Sequence, residues 1–235
     1  MISESNFRLA IFDVAGTTVI DNGMVIEAFL DAIQPLESDP KRIAKLKEIA
    51  NKTMGERKID VFREMFIEEE TAQAAHDLFI ESYLKRVIRG EVSPVPGVET
   101  LFRKLRNQGM KIALNTGFSR EILNAILESL DWFGVIDFSI ASNEVTEGRP
   151  SPEMINSLIR QVNNRLAIEI DSSQVVVFGD TIADMAAASA AGAKLKIGVN
   201  SGVHDRSQLL LAGADLVVDY IYDSLFLIQE KSTRD

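Results

Sequence analysis

Short, mostly apolar runs that end in a small or acidic polar residue recur along the chain. The first, Arg8 to Phe12, stops at Asp13, and a later one, Val175 to Phe178, ends in Gly179-Asp180. Continuous apolar strands that alternate with helical stretches are typical of a parallel sheet covered on both faces. We therefore predict an α/β fold with a Rossmann-like parallel sheet as its core. The predicted strands lie within residues 8–12, 111–117, 135–142, 175–180, 194–199 and 216–219.

The stretch from Ile20 to Glu91 has a different pattern. Its apolar residues, for example those from Val25 to Ile33, recur at a spacing of about 3.6 residues, and no strand-like apolar run interrupts them. The pattern predicts an inserted, all-helical segment at residues 20–91, and a core domain made of residues 1–19 and 92–235. The exit, Ser93-Pro-Val-Pro-Gly97, has the residues of a hinge back into the core.

Charge and composition exclude several classes of function. The 235 residues carry a formal net charge of −10 and no basic block, which argues against nucleic acid as a partner. Cysteine is absent, which excludes disulfides, thiolate chemistry and cysteine-bound zinc. No stretch reaches the ~18 uncharged apolar residues of a membrane span, so we expect a soluble, cytoplasmic protein with no membrane partner. A small anionic substrate remains compatible with the charge.

Acidic residues stand at the ends of two predicted strands. Asp13 follows the first, Asp180 follows the fourth, and Asp184 lies on the helix after Asp180. Ligands of open parallel sheets bind at the carboxyl ends of the strands. Carboxylates that converge there repel one another unless a hard cation lies between them, and oxygen ligands suit Mg²⁺. The alternative is that these residues serve only as turn or helix-capping residues, as Asp often does.

Four motifs in this order and spacing resemble those of the haloacid dehalogenase superfamily. They are Asp13-Val-Ala-Gly-Thr17, Asn115-Thr116-Gly117, Arg149-Pro150, and Gly179-Asp180 followed by Asp184. The resemblance covers nearly the whole chain, and it puts the helical segment at the position of the superfamily's mobile cap. It implies an Mg²⁺-dependent hydrolase.

Three features are similar to the phosphonatase branch of that superfamily, which hydrolyses phosphonoacetaldehyde. Ala15 stands where most phosphatases of the superfamily have an acid/base Asp, and Arg149 stands where most members have Lys. The segment Met54 to Asp60 resembles the cap segment that holds the branch's Schiff-base lysine, and Lys58 is the matching position.

The chain departs from that branch at two site positions. Val61 and Phe118 stand where the family has His and Tyr, and the family's cap cysteine has no counterpart. The two histidines, His76 and His204, lie in other segments. The acid/base partner of the family's cap chemistry therefore has no counterpart in the sequence.

The resemblance implies a role for each matched core residue. Asp13 would attack phosphorus to give an aspartyl-phosphate. Mg²⁺ would be held by Asp13, the backbone carbonyl of Ala15 and Asp180, with Asp184 orienting a metal ligand.

The remaining roles concern the substrate. The Thr116 hydroxyl and the Gly117 N–H would hold phosphoryl oxygens, and Arg149 would add a fixed positive charge. Met54 and Phe118 would contact the substrate. The alternative for Thr116 is an ordinary turn residue, and the alternative for Arg149 is a surface-loop residue.

Ala15 bears on the chemistry, because hydrolysis of a phosphate ester gains roughly 10²–10⁴ in rate from a proton donor and Ala cannot be one. Cleavage of a C–P bond instead expels a carbanion, which an iminium between an aldehyde and the Lys58 amine would accept as an enamine. The pKa of Lys58 should then fall below ~10.4 through burial or a positive neighbour such as Arg57. The alternative is a solvated Lys58, and nearby Lys52 is interpreted as surface charge.

Two further functions stay open at this point. One is a phosphomonoesterase, similar to phosphoglycolate phosphatase, in which Lys58 only binds an anionic group. The other is a catalytically idle binding module of the same fold. Apolar cap residues such as Phe29 and Ile33 could serve a homodimer through the cap or the cap's own core.

Overall fold

The computed structural model describes residues 7–225 and residue 228. The strands are β1 (Leu9–Phe12), β2 (Lys111–Thr116), β3 (Phe138–Ala141), β4 (Val175–Gly179), β5 (Leu195–Val199) and β6 (Leu216–Val218). They form one sheet in the order β3-β2-β1-β4-β5-β6, and every neighbouring pair is parallel. This topology confirms the predicted α/β class.

Helices precede or follow most of these strands in the described part of the chain. They are α1 (Met24–Ile33), α2 (Pro40–Lys52), α3 (Lys58–Met65), α4 (Glu69–Ile88), α5 (Val98–Asn107), α6 (Arg120–Ser129), α7 (Glu153–Leu166), α8 (Ile182–Ala190) and α9 (Arg206–Leu211). No helix among these residues is both long and apolar enough to cross a membrane.

The central strand β1 is buried along its whole length, which explains its continuous apolar sequence. Leu9 and Ile11 belong to the core on one face of the sheet, together with residues of α7 and α8. Phe12 belongs to the core on the other face, and its ring stacks on that of Phe178 with 4.2 Å between centroids. The alternation follows from the two-residue period of a strand.

The four helices α1 to α4 occupy the segment between β1 and α5, which contains no strand, as predicted. Helix α4 packs against α1 and α3, and the rings of Phe29, Phe62 and Phe79 meet between them at 4.9 to 6.0 Å. Phe29 and Ile33 are buried in this core. Their apolar surface therefore serves the chain's own packing.

The helical segment also packs against the sheet domain. Helix α4 contacts α6, and the Tyr83 ring lies 4.5 Å from that of Phe118, which follows β2. One hydrophobic core thus runs from the sheet into the helices. The all-helical insertion is confirmed, whereas its division from the core at residues 20–91 stays a prediction.

Candidate active site

The carboxyl ends of β1 and β4 bring three carboxylates together. Because these strands are neighbours and Phe12 pairs with Phe178, Asp13 and Asp180 emerge side by side. Oxygen atoms of Asp13, Asp180 and Asp184 lie within 4.8 Å of one another, and all three residues are buried. Three buried carboxylates of this kind fit a hard cation such as Mg²⁺, which takes oxygen ligands.

The loop after β1 holds Asp180 in place. Thr17 donates a hydrogen bond from Oγ1 to Oδ1 of Asp180 at 2.7 Å. Gly16 has a φ of +90°, and a Cβ there would lie 2.4 Å from Oδ2 of Asp180. Glycine is required at this position both by the left-handed backbone and by the close approach of the carboxylate.

The start of α8 fixes Asp184. Oδ2 of Asp184 accepts from the Thr181 N–H at 3.1 Å, and Oγ1 of Thr181 accepts from the Asp184 N–H at 3.2 Å. This reciprocal pair is a capping box, which satisfies backbone donors at the helix start. The other oxygen, Oδ1, faces Arg149, whose Nη1 lies 2.6 Å away.

Arg149 connects four groups of the site. Its Nη2 lies 2.7 Å from Oδ1 of Asp13 and donates to both the backbone O and Oδ1 of Asn115, at 2.7 and 3.0 Å. Its Nη1 donates to the Gly55 carbonyl at 3.3 Å, in the helical segment. The Arg149 side chain is completely buried. The planar fork of a guanidinium can bind several acceptors at once, which a lysine amine cannot do in this geometry.

Burial and crowding set the ionisation of the carboxylates. Burial raises the pKa of Asp13 to about 7; the Asp184 charge adds to this effect and the Arg149 charge opposes it. The pKa of Asp180 is also raised, first by burial and then by the charges of Asp13 and Asp184. When no cation is bound, the negative charge of such a cluster of carboxylates is reduced by binding protons instead.

Lys58, the first residue of α3, is buried rather than solvated. Its Nζ donates to the Glu56 carbonyl at 3.0 Å and lies 5.7 and 5.8 Å from the ring centres of Phe29 and Phe118. Burial lowers the pKa of Lys58 to about 8, the Asp13 charge opposes this shift, and the Arg149 charge adds to it. A substantial neutral fraction at pH 8 makes this amine a usable nucleophile.

A small cavity of about 20 Å³ lies between the strand ends and the helical segment. Its lining consists of Asp13, Ala15, Val25, Met54, Gly55, Lys58, Thr116, Gly117, Phe118 and Thr181. A space of this size holds about one water molecule. The cavity is therefore too small for a substrate of several heavy atoms.

The sequence-derived site residues thus lie together. Seven of them line the cavity, and Arg149, Asp180 and Asp184 surround Asp13 beside it. The hydroxyl of Thr116 accepts from the Phe118 N–H at 3.2 Å, which closes the turn after β2. Lys52 is exposed, as the sequence suggested.

The sequence suggested Arg57 as a positive neighbour that lowers the pKa of Lys58. The Arg57 guanidinium instead donates to the Thr146 carbonyl of the sheet domain at 2.8 Å. The nearby cation whose charge most lowers the pKa of Lys58 is Arg149. Side chains at consecutive positions at the start of a helix diverge by about 100°, which separates Arg57 from its neighbour.

Sequence reasoning also missed four residues that contact the site. Asn115 and Thr17 stand inside the quoted motifs, and their hydrogen bonds to Arg149 and Asp180 could have been suspected there. Gly55 lies inside the segment around Lys58. His204, which hydrogen-bonds the backbone of Asp180, comes from a loop with no motif at all.

Comparison with known proteins agrees with this geometry. The profile of the haloacid dehalogenase-like hydrolases matches residues 7–192. A phosphonoacetaldehyde hydrolase of Parabacteroides distasonis is 28% identical, over 96% of this chain and 97% of that protein. One from Bacteroides fragilis is 33% identical over 56% of this chain, and the match spans about half, 48%, of that relative's length.

Among solved structures, a phosphonoacetaldehyde hydrolase-like protein from Oleispira antarctica superimposes with a TM-score of 0.81. It is 21% identical, and the match covers 100% of this chain and 95% of that one. At this identity the likeness supports the fold alone. The profile match covers most of the chain and includes all four motifs. The chain accordingly belongs to the haloacid dehalogenase-like hydrolase family.

Proposed function

We propose that this hydrolase is an Mg²⁺-dependent, phosphonatase-like enzyme that cleaves a small phosphonate or phosphorylated metabolite through Asp13, with Lys58 as a Schiff-base lysine. One observation carries the proposal. The buried Lys58 amine and the Asp13 carboxylate line the same cavity, and the pKa of Lys58 is lowered to about 8. A small molecule with a carbonyl group and a phosphoryl group would match this cavity, with the carbonyl at its Lys58 end and the phosphoryl group at its Asp13 end.

The phosphoryl end is served by the strand-end residues. Asp13, the Ala15 carbonyl and Asp180 would hold Mg²⁺, with Asp184 orienting them, and the bound ion would neutralise charge between the carboxylate and an anionic phosphoryl group. Asp13 then forms an O–P bond as the bond from phosphorus to its leaving group breaks. A water molecule later hydrolyses the aspartyl-phosphate to release inorganic phosphate.

Phosphoryl oxygens need donors that match their charge. The Thr116 hydroxyl and the Gly117 N–H stand at the end of β2, on the cavity wall. Arg149 adds a cation beside Asp13. In many enzymes, fixed hydrogen-bond donors that point at the charge developing in the transition state make the largest single contribution to the rate enhancement.

The carbonyl end is served by Lys58. Its neutral amine adds to the carbonyl carbon and loses water to give an iminium. When the C–P bond breaks, its electron pair moves into the iminium and leaves an enamine, so no proton donor is needed at position 15. Protonation of the enamine carbon and hydrolysis by water return the aldehyde product and the free amine. Met54 and Phe118 flank this end of the cavity and would contact the substrate.

The same proposal includes the domain division. Residues 20–91 would form a cap that moves against a core of residues 1–19 and 92–235, since the cavity is too small to admit a substrate. The relatives named phosphonoacetaldehyde hydrolase support the choice of substrate class. Phosphonoacetaldehyde has both the carbonyl and the phosphoryl group that the two ends require.

The test is a substrate panel combined with trapping. Phosphate release is measured from phosphonoacetaldehyde and from simple phosphate esters, with and without Mg²⁺, and borohydride is added to the phosphonate reaction. We expect Mg²⁺-dependent release from phosphonoacetaldehyde and a reduced adduct on the peptide that contains Lys58, but none on the peptide of exposed Lys52. Release from esters without an adduct would assign a phosphomonoesterase instead. No release from any member would contradict the proposal.

A further inference from the structure

Arg57 forms a direct polar contact between the helical segment and the sheet domain. It precedes α3 and Lys58, and its Nη1 donates to the carbonyls of Thr146 and Val145 at 2.8 and 3.5 Å. These carbonyls belong to residues 145–148, here called the docking loop, which leads directly to Arg149. The side chain of Arg57 is 20% exposed, so these bonds are partly shielded from water.

The docking loop is shaped to receive this side chain. A Cβ on Gly148 would lie 2.6 Å from the Cβ of Arg57, closer than real Cβ contacts allow. Nearby, a Cβ on Gly117 would lie 2.4 Å from the Glu56 carbonyl, which accepts from the Lys58 amine. The backbone before Lys58 therefore lies directly against Gly117, and the side chain of Arg57 lies directly against Gly148.

The docking loop is itself held by α7. Glu153, the first residue of that helix, accepts from the Thr146 N–H at 3.1 Å and from the Glu147 N–H at 2.7 Å. The carbonyl that receives Arg57 thus belongs to a peptide segment already tied to the core. A charge-assisted hydrogen bond to an acceptor that is itself held in place fixes the position of the donor side chain, whereas a bond to a loose loop does not.

Within the helical segment Arg57 has only a weak alternative. The Asp60 carboxylate lies 3.9 Å from Nε, a partly exposed pair of little energetic value. Within the described residues, Nε has no hydrogen-bond partner. The direction of the guanidinium is therefore set by the docking loop and not by α3.

We propose that Arg57 is a positioning residue: its docking on residues 145–148 fixes the first turn of α3 so that the Lys58 amine faces Asp13. Lys58 then lines the same cavity as Asp13, and Arg149, which follows the docking loop, pairs with the Asp13 carboxylate. The inference rests on the proposed function and deepens it. Arg57 would control the carbonyl step, which needs Lys58, and not the phosphoryl step, which needs only the strand-end residues.

The test compares Arg57→Ala and Arg57→Lys with Arg63→Ala. Arg63 is a matched control because it lies on α3 and, among the residues that the structure describes, pairs with the exposed Asp60 and Glu69. The first readout is the rate at which trinitrobenzenesulfonate modifies Lys58 in the substrate-free protein, followed by peptide mass spectrometry. We expect Arg57→Ala to raise that rate about 10-fold or more. The variant loses the charged hydrogen bonds from Arg57 to the docking loop, which hold the first turn of α3 and thereby keep the Lys58 amine buried.

The second readout is kinetic. Arg57→Ala should lower kcat/KM for phosphonoacetaldehyde by about 10- to 100-fold and leave hydrolysis of p-nitrophenyl phosphate within about 3-fold of wild type. Arg57→Lys should recover part of the loss, and Arg63→Ala should behave as wild type. A purely structural role would lower both activities together.

Gly148→Ala gives an independent check that keeps the arginine. Its added Cβ should displace Arg57 and reproduce the faster modification of Lys58. Gly134→Ala is the control, since a Cβ there meets nothing within 4 Å. Wild-type modification rates in both Arg57→Ala and Gly148→Ala would overturn the proposal. If wild type neither traps an adduct nor cleaves the phosphonate, the proposed function fails, while the modification rates still decide whether Arg57 positions Lys58.

Discussion

Nη2 of Arg149 lies 2.7 Å from Oδ1 of Asp13, and the two side chains are 0% and 6% exposed. The guanidinium thereby holds the carboxylate at the end of β1 while its other terminal nitrogen, Nη1, binds Asp184 and the Gly55 carbonyl. A single cation thus ties two strand ends to the helical segment. Removing the Arg149 cation would leave buried carboxylates uncompensated, which costs several kcal/mol.

Arg149→Lys should be far from conservative. A lysine amine has one nitrogen and cannot bridge acceptors that now share two. We expect kcat/KM to fall at least about 100-fold and the free energy of unfolding to fall by about 1–3 kcal/mol. The measurement is phosphate release together with urea unfolding. Arg160→Lys, at an exposed position of α7, is the control, and an active Arg149→Lys enzyme would contradict the bridging role.

Asp13→Asn should abolish phosphate release while the protein stays folded. The amide cannot form the aspartyl-phosphate, but it keeps the shape of the side chain and removes a buried charge whose pKa is raised to about 7. We expect at least a ~10³-fold loss of turnover with no loss of thermal stability. Asp131→Asn, at an exposed turn, is the control. Turnover near wild type would exclude Asp13 as the nucleophile.

Mg²⁺ should stabilise the protein more at pH 8 than at pH 5.5. In the metal-free protein the pKa of Asp13 is raised from 3.8 to about 7, so the stability that this group contributes is present below pH 3.8 and lost as the pH rises through 7. Bound Mg²⁺ requires ionised carboxylates and reverses that loss. Thermal unfolding with Mg²⁺, against NaCl of equal ionic strength, measures the difference. Equal shifts of Tm at both pH values would count against a carboxylate site.

Lys58→Met should stabilise the protein at pH 7, and the gain should shrink in alkaline solution. The pKa of Lys58 is lowered from 10.5 to about 8, so between these values the unfolded wild-type chain binds more protons than the folded one, and wild-type stability rises with pH. The full shift corresponds to about 3 kcal/mol. Urea unfolding of both proteins at pH 7 and pH 10 measures it, with Lys52→Met as the exposed control. A gain that does not change with pH would mean that Lys58 is not buried as a cation.

Tyr83→Phe should leave the free energy of unfolding unchanged or raise it. The Tyr83 hydroxyl is buried and has no hydrogen-bond partner among the described residues, so its removal costs no bond and ends an unfavourable burial. The ring contact with Phe118 is kept. Tyr222→Phe, at a half-buried position, is the control. A loss of more than about 1 kcal/mol in Tyr83→Phe would reveal a partner for the hydroxyl.

The strand-end part of the site could be predicted from the sequence because it depends on local rules. Apolar runs predict buried strands, and parallel strands bring Asp13, Thr116 and Asp180 to one edge. The hydrogen bonds of Thr17 and Asn115 were harder to predict, because a motif indicates which residues lie near the site but not which of their atoms form hydrogen bonds. The pairing of Thr17 with Asp180 depends on how the β1 loop turns at Gly16.

Contacts between the helical segment and the sheet domain could not be predicted. The docking of Arg57 on Thr146 joins residues 89 positions apart, and nothing in either local sequence indicates the pairing. The burial of Lys58 has the same origin, because its neighbours Phe29 and Phe118 come from distant segments. Such contacts follow from the way two packed units meet, which no periodicity encodes.

The carboxylate of Asp184 is shared between two tasks: one oxygen caps α8 and the other binds Arg149. The N-terminal cap of α8 and the position of the Arg149 guanidinium therefore depend on the same side chain. Variants at this position cannot exchange stability for activity, since any change that frees one oxygen disturbs the other. The cavity-lining residues of the helical segment, Val25, Met54, Gly55 and Lys58, take no part in this double contact, so substitutions there leave both oxygens of Asp184 with their partners.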